Sequence, residues 1–249
     1  MNLRRAVLLV CLLGATLEGQ AEETRERYAY VIGASVSTGF NFFRPGYSPS
    51  LYALEKLGFP RERVVKKTVI TGSFRRKYRW LQRKFQTHPP ALIIGIDLFH
   101  HDLRKKPKVP RGVYAYAERM LNLLNTSGAD VIVGYTWTRY NNRPTINTFN
   151  RYLNDQQHNY PNLAFFPVPG VYDALMGNTD PFRYNLDGVA IDISKRLRPK
   201  LLLDIVHPND RGARVFANLL IDIANRSFGR RASFYDVTDV AAIARRVNR

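Results

Sequence analysis

Cysteine is almost missing from this chain. The only one, Cys11, lies in an apolar stretch near the start, so the rest of the sequence has neither disulfide cross-links nor a thiol nucleophile. Acidic residues are scarce as well, with 20 Asp and Glu against 38 Lys and Arg, a formal net charge of +18. Long apolar runs are absent, because the stretch over residues 6–15 is too short to span a bilayer comfortably. No internal repeat, linker or low-complexity segment divides the chain, and no nucleic-acid-binding motif accompanies its basic charge.

What is present begins with Arg4 and Arg5, the apolar stretch and then Gly19-Gln20-Ala21, a small-x-small cleavage pattern. That order reads as a signal peptide over residues 1–21 and implies a secreted or periplasmic protein. Val10 before Cys11 is too bulky for a typical lipoprotein site. Residues 22–249 then form one domain long enough to bury a substantial core. It carries 36 basic and 19 acidic residues, a balance that favours anionic partners such as phospholipid headgroups or acidic glycans. Asn125-Thr126-Ser127 and Asn225-Arg226-Ser227 match the glycosylation pattern, which short sequences match often by chance.

Apolar β-branched runs over 28–32, 64–70, 91–96, 130–135 and 163–168 read as strands, and between them apolar residues recur at helical spacing. Phe74, Tyr78, Leu81 and Phe85 form one such stripe, and Val113, Tyr116, Ala117, Met120, Leu121 and Leu124 another. Alternation of this kind implies an α/β class, a three-layer α/β/α sandwich around a parallel sheet, with sites at the carboxyl ends of the strands. Residues 188–193 and 201–205 read as the arms of a β-excursion around a basic turn. A final helix begins near Asp210, read as its cap, and the basic tail after Gly229 has no assignable role. On the first of these helices Arg75, Arg76, Lys77, Arg79, Arg83 and Lys84 surround the apolar stripe and suggest a surface for anionic material.

Two motifs near opposite ends carry chemistry. Gly33-Ala34-Ser35 follows the first strand, and Asp204-Ile205-Val206-His207-Pro208-Asn209 precedes the last helix. A serine needs a base, and the base an orienting group, and a D-x-x-H segment supplies both from one piece of backbone. Ser37 and Thr38 are further hydroxyls in the first motif. His100-His101-Asp102 lacks the remote ligands a metal site requires, and on an extended chain the two rings would point apart.

The early serine and late D-x-x-H resemble the SGNH (GDSL-like) hydrolase superfamily. The resemblance implies an SGNH-type, flavodoxin-like sandwich and an ester hydrolase with Ser35 as nucleophile, His207 as base and Asp204 as orienter, working without cofactor or metal. It also implies oxyanion donors from the Ser35 amide, the Gly72 amide and the side chain at position 97. Two departures stand out. Alanine replaces the aspartate of the family's G-D-S, and Asp97 stands where an asparagine donor is expected, although a carboxylate only accepts hydrogen bonds. Asp97 is then protonated, or structural, or the mark of an impaired hydrolase. Implied substrates are glycan or lipid esters. An acyltransferase with the same triad, and a catalytically weak module that binds anionic cell-surface polymers, are the alternatives.

Overall fold

The computed structural model describes residues 27–39, 47–68, 74–103, 106, 108–138, 142–186, 189–204 and 206–237. The leader over 1–21, Gly72 and the end of the tail lie outside the described residues. Strands β1 (Tyr28–Gly33), β2 (Val64–Thr68), β3 (Pro90–Gly95), β4 (Asp130–Gly134) and β5 (Leu163–Phe166) form a sheet in the order β2-β1-β3-β4-β5. Every pairing in it is parallel.

Why both faces are covered follows from the two-residue period of a strand. Ala29 and Val31 of β1, Leu92 and Ile94 of β3 and Ile132 of β4 enter one core. Tyr30 and Ile32, Ile93, and Val131 and Val133 enter a second core on the opposite face. The first is closed by α2 (Pro49–Lys56), α7 (Val168–Met176) and α9 (Asp210–Phe228), the second by α3 (Phe74–Thr87), α5 (Arg111–Thr126) and α6 (Arg143–Gln156). The result is the three-layer α/β/α sandwich expected from the alternation.

Three details differ from the sequence reading. The antiparallel hairpin is built from β6 (Phe182–Leu186) and β7 (Val189–Ile193). Residues 201–204 are no strand: Leu201 ends the short helix α8 (Arg198–Leu201), and Leu202 makes only an isolated bridge to Pro208. The cap of α9 is Asn209, whose side chain accepts from Gly212 N at 2.8 Å, while Asp210 is already helical. The third difference concerns α3. Lys77 is buried rather than part of the cationic surface, donating to Leu98 O at 2.5 Å and pairing with Asp102 at 3.1 Å. Arg75, Arg76, Arg79 and Arg83 remain exposed, while Leu81 packs into the core and Phe85 meets Tyr30 edge-on.

The first part of the tail does have a place. Arg230 pairs with Asp130 at 2.6 Å, and the side chains of Asn225 and Asn218 bond the backbone of Ala232 and Tyr235. This strap lies along α9, and it uses the amide that a glycan on Asn225 would occupy.

Close approach of backbone fixes the upper end of β4. A Cβ on Gly134 would stand 1.8 Å from Ile96 O, in the turn after β3. Gly134→Ala must therefore push β4 and that turn apart. It should lower stability by about 1–3 kcal/mol or more, read as the urea midpoint or Tm.

Candidate active site

In a sheet of order 2-1-3-4-5 the chain reverses direction between β1 and β3, which leaves a crevice at the carboxyl ends of those strands. The Gly33-Ala34-Ser35 turn and Asp97 both lie at those strand ends. After β1, Gly33 adopts φ +150°, and a Cβ on it would lie 2.3 Å from Asp97 Oδ1 and 2.6 Å from Ser37 Oγ. Glycine at this position is thus required twice, by conformation and by space. The chain then enters α1 (Ser35–Thr38), a single turn capped by Gly39.

Asp97 joins the two strand ends. Its Oδ1 accepts from Ala34 N at 2.7 Å and from Ser37 Oγ at 2.5 Å, and its Oδ2 accepts from Val36 N at 3.0 Å. Asp97 N in turn donates to Ser37 Oγ at 3.2 Å. The carboxylate is therefore an acceptor for three donors of the serine turn. Ser37 and Thr38 are buried, and their hydroxyls are engaged, that of Thr38 with Ala34 O at 2.9 Å. Ser35 instead lines a cavity of about 60 Å³ together with Asp97 and Val206.

The D-x-x-H segment reaches the same cavity as a loop pinned at its neck. Leu203 N donates to His207 O at 2.8 Å, and Asn209 N to Leu201 O at 2.9 Å. Gly212 makes the neck tight, since a Cβ there would stand 1.9 Å from Leu201 O. Within the loop Asp204 Oδ1 accepts from Val206 N at 2.7 Å and His207 N at 2.8 Å, while Oδ2 meets His207 Nδ1 at 2.7 Å. Burial pushes the Asp204 carboxyl up, but those two amides and the His207 ring outweigh it and hold it below the usual carboxylate value. A carboxylate facing Nδ1 assigns the proton to that nitrogen, so the neutral ring presents Nε2 as a base.

Tyr172, on α7, ties the two halves together. Its hydroxyl donates to Val206 O at 2.6 Å, beside the catalytic candidates. Burial pushes this phenol far above its ordinary value, and the charges of Asp97 and Asp204 add to the shift. It therefore stays a donor at all ordinary pH. Among the described residues no hydrogen bond joins Ser35 Oγ to the His207 ring, a contact that in unliganded sites is commonly long and shortens when substrate binds.

Gly72 lies outside the described residues, so its position relative to Ser35 is not described. His100 and His101 sit in one helical turn, α4 (His100–Leu103), not on an extended chain. His100 Nδ1 bonds Trp137 O at 3.1 Å, and His100 lines the cavity. Tyr172, Trp137 and Val168 also line it and were not legible as site residues. Nothing in their local sequence marks them, because tertiary packing alone brings them to Ser35.

The chain shares its fold with solved structures that include an esterase and a protein described as a GDSL-like lipase. Solved structures similar to this chain include TesA, at 16% identity and TM-score 0.51, covering 80% of this chain and 99% of that one. The esterase EstA from Pseudoalteromonas sp., a structure inhibited by monoethylphosphonate, is similar at 12% identity and TM-score 0.54, covering 82% of this chain and 99% of its own. A protein described as a GDSL-like lipase from Parabacteroides merdae is similar at 11% identity and TM-score 0.51, with 83% and 97% covered. No protein-family model matches the sequence, and no curated relative aligns with it.

Replacing Asp97 tests its place directly. In Asp97→Asn one acceptor oxygen becomes an NH₂ group facing a backbone N–H or the Ser37 hydroxyl, and an unmatched buried donor costs about 1–3 kcal/mol. The variant should melt lower and gain no ester hydrolysis. A faster, equally stable variant would show that position 97 serves the oxyanion instead.

Proposed function

We propose that this protein is an exported serine ester hydrolase that acts through Ser35, His207 and Asp204. The observation that carries the reading is the single cavity at the β1/β3 crevice, lined by both Ser35 and Val206 of the D-x-x-H loop, beside a His207 already bonded to Asp204. The named esterase and lipase among similar structures support the same chemistry.

In this reading Ser35 Oγ attacks the ester carbonyl carbon while His207 Nε2 takes its proton. Asp204 holds the ring and stabilises the imidazolium. The tetrahedral oxyanion is received by the Ser35 backbone N–H, with the Gly72 amide as the second donor that the resemblance implies. Asp97 does not join them. It is a tether that holds the serine turn at the end of β3, which accounts for a carboxylate where an amide donor was expected. Collapse of the intermediate breaks the ester C–O bond, and His207 returns its proton to the leaving alcohol. Water, deprotonated by the same base, then releases the acid from Ser35. A sugar hydroxyl in place of that water would make the enzyme an acyltransferase, and product analysis with and without a glycan acceptor separates the two.

Ser35→Ala should abolish labelling by a fluorophosphonate and lower hydrolysis of activated esters by at least about three decades, leaving the melting curve intact. Asp204→Ala should cost about two to four decades. Equal labelling of wild type and Ser35→Ala would remove Ser35 from the mechanism. A wild type that labels nowhere would favour the binding-module reading.

The exposed face of α3 supports a second property, retention on anionic surfaces such as phospholipid or acidic glycan. Arg75, Arg76, Arg79 and Arg83 are exposed there, and the helix contains no acidic residue. Binding to anionic vesicles or acidic polysaccharide should weaken steeply as salt rises, because the Debye length falls to about 3 Å at 1 M. Reversing Arg75, Arg76 and Arg79 to glutamate should reduce it at least several-fold in cosedimentation. Unchanged binding would leave α3 as scaffold.

A further inference from the structure

The cavity beside Ser35 has features that the triad does not need. Its walls are mainly carbon: Val36, Ile96, Trp137, Val168, Tyr172 and Val206 all border it. Two of them are locked. The Trp137 and Tyr172 rings stack with centroids 4.9 Å apart and planes 29° from parallel. Trp137 Nε1 donates to Asp173 Oδ1 at 2.9 Å, and that carboxylate is held by Arg143 at 2.6 Å. Trp137 O is bonded to the His100 ring at 3.1 Å, and Tyr172 OH to Val206 O at 2.6 Å. Each aromatic wall is thus fixed on its face and at a polar atom. Neither can swing aside without breaking a hydrogen bond and a ring contact.

We infer that this cavity is a rigid-walled acyl pocket that restricts the enzyme to esters of short acids, of up to about five carbons. The inference rests on Ser35 being the nucleophile. Its volume is about 60 Å³, and a water-sized group takes about 10–15 Å³ by the same measure, so about four to six non-hydrogen atoms fit. Butanoyl has five, and octanoyl has nine. The acyl group, not the alcohol, is the occupant for two reasons. The acyl group stays on Ser35 while the alcohol must leave to admit water, so the fixed walls beside the serine suit the part that remains. A sugar alcohol would also place most of its hydroxyls against walls that are mainly carbon, where a polar group without a partner is costly. Asp97, the charged group in the lining, already serves three donors of the serine turn.

The profile is set by walls, so removing a wall should change it. Nitrophenyl esters from acetate to decanoate, below their micelle concentrations, give kcat/KM for the full chain. Values should hold or rise from acetate to butanoate, then fall at least about tenfold by octanoate. Trp137→Ala should move the optimum to hexanoate or octanoate. Should that variant not fold, Val168→Ala removes two methyl groups from another wall and should shift the profile the same way by a smaller step. A short-alkyl fluorophosphonate tests the serine independently. Labelling with octanoate turned over as well as butanoate overturns the short-acyl pocket and leaves Ser35 standing. A wild-type preference for short chains that neither variant alters also overturns it. Absence of both labelling and hydrolysis would bring down the serine assignment, and the acyl pocket with it.

Discussion

The carboxylate of Asp97 spans the two strand ends between which the sheet reverses its direction of growth, and the geometry of the serine turn depends on that bridge. β1 and β3 are neighbours through backbone hydrogen bonds, but those bonds stop where the strands end. Beyond them Asp97 accepts from Ala34 N, Val36 N and Ser37 Oγ and continues the connection through a side chain. Gly33 is the complement of this arrangement, because any side chain there would occupy the carboxylate's own space. Glycine, tether and Ser35 therefore form a single unit.

The D-x-x-H loop solves a similar problem by different means. A histidine proposed as the base must be held at a distance from its own helix, yet a free loop would cost the site its geometry. Here the neck is closed by two backbone bonds and by the close seat of Gly212, and the interior is organised by Asp204. One carboxylate orders the loop backbone and aligns the ring, so the orienting residue is also a structural one. Loss of Asp204 would disturb both, which is a physical reason to separate stability from rate when its variants are read. Asp97 and Asp204 are alike in this respect. Each is a carboxylate satisfied chiefly by backbone N–H groups, and Tyr172 sits between them as a permanent donor.

The cations of α3 have two different roles. Four arginines of α3 are exposed on the second core's outer layer, whereas Lys77 turns inward and binds the turn after β3. A burial pattern rather than a composition separates those roles. Lys77 shares its helix with the exposed cations, but it is buried and meets Leu98 O and Asp102.

Much of the architecture was legible because it is written in short-range periodicity. Five strands follow from apolar β-branched runs, the helices from Phe74 and near Val113 from spacing near four, and parallel pairing from their alternation. The order of strands, the placement of the hairpin at 182–193, and the shape of the loop before α9 were not, since they depend on which surfaces meet. The site divides along the same line. Ser35, Asp204 and His207 were visible as candidates because a glycine-serine turn and a D-x-x-H segment are local patterns with local causes. Asp97 was visible as a departure, but its role needed the positions of Ala34, Val36 and Ser37. Trp137, Val168 and Tyr172 carry no local signal at all. Their work is to bound a space, and a space has no address in the sequence: it exists only once a strand end, a loop and a helix start, far apart along the chain, have packed against one another.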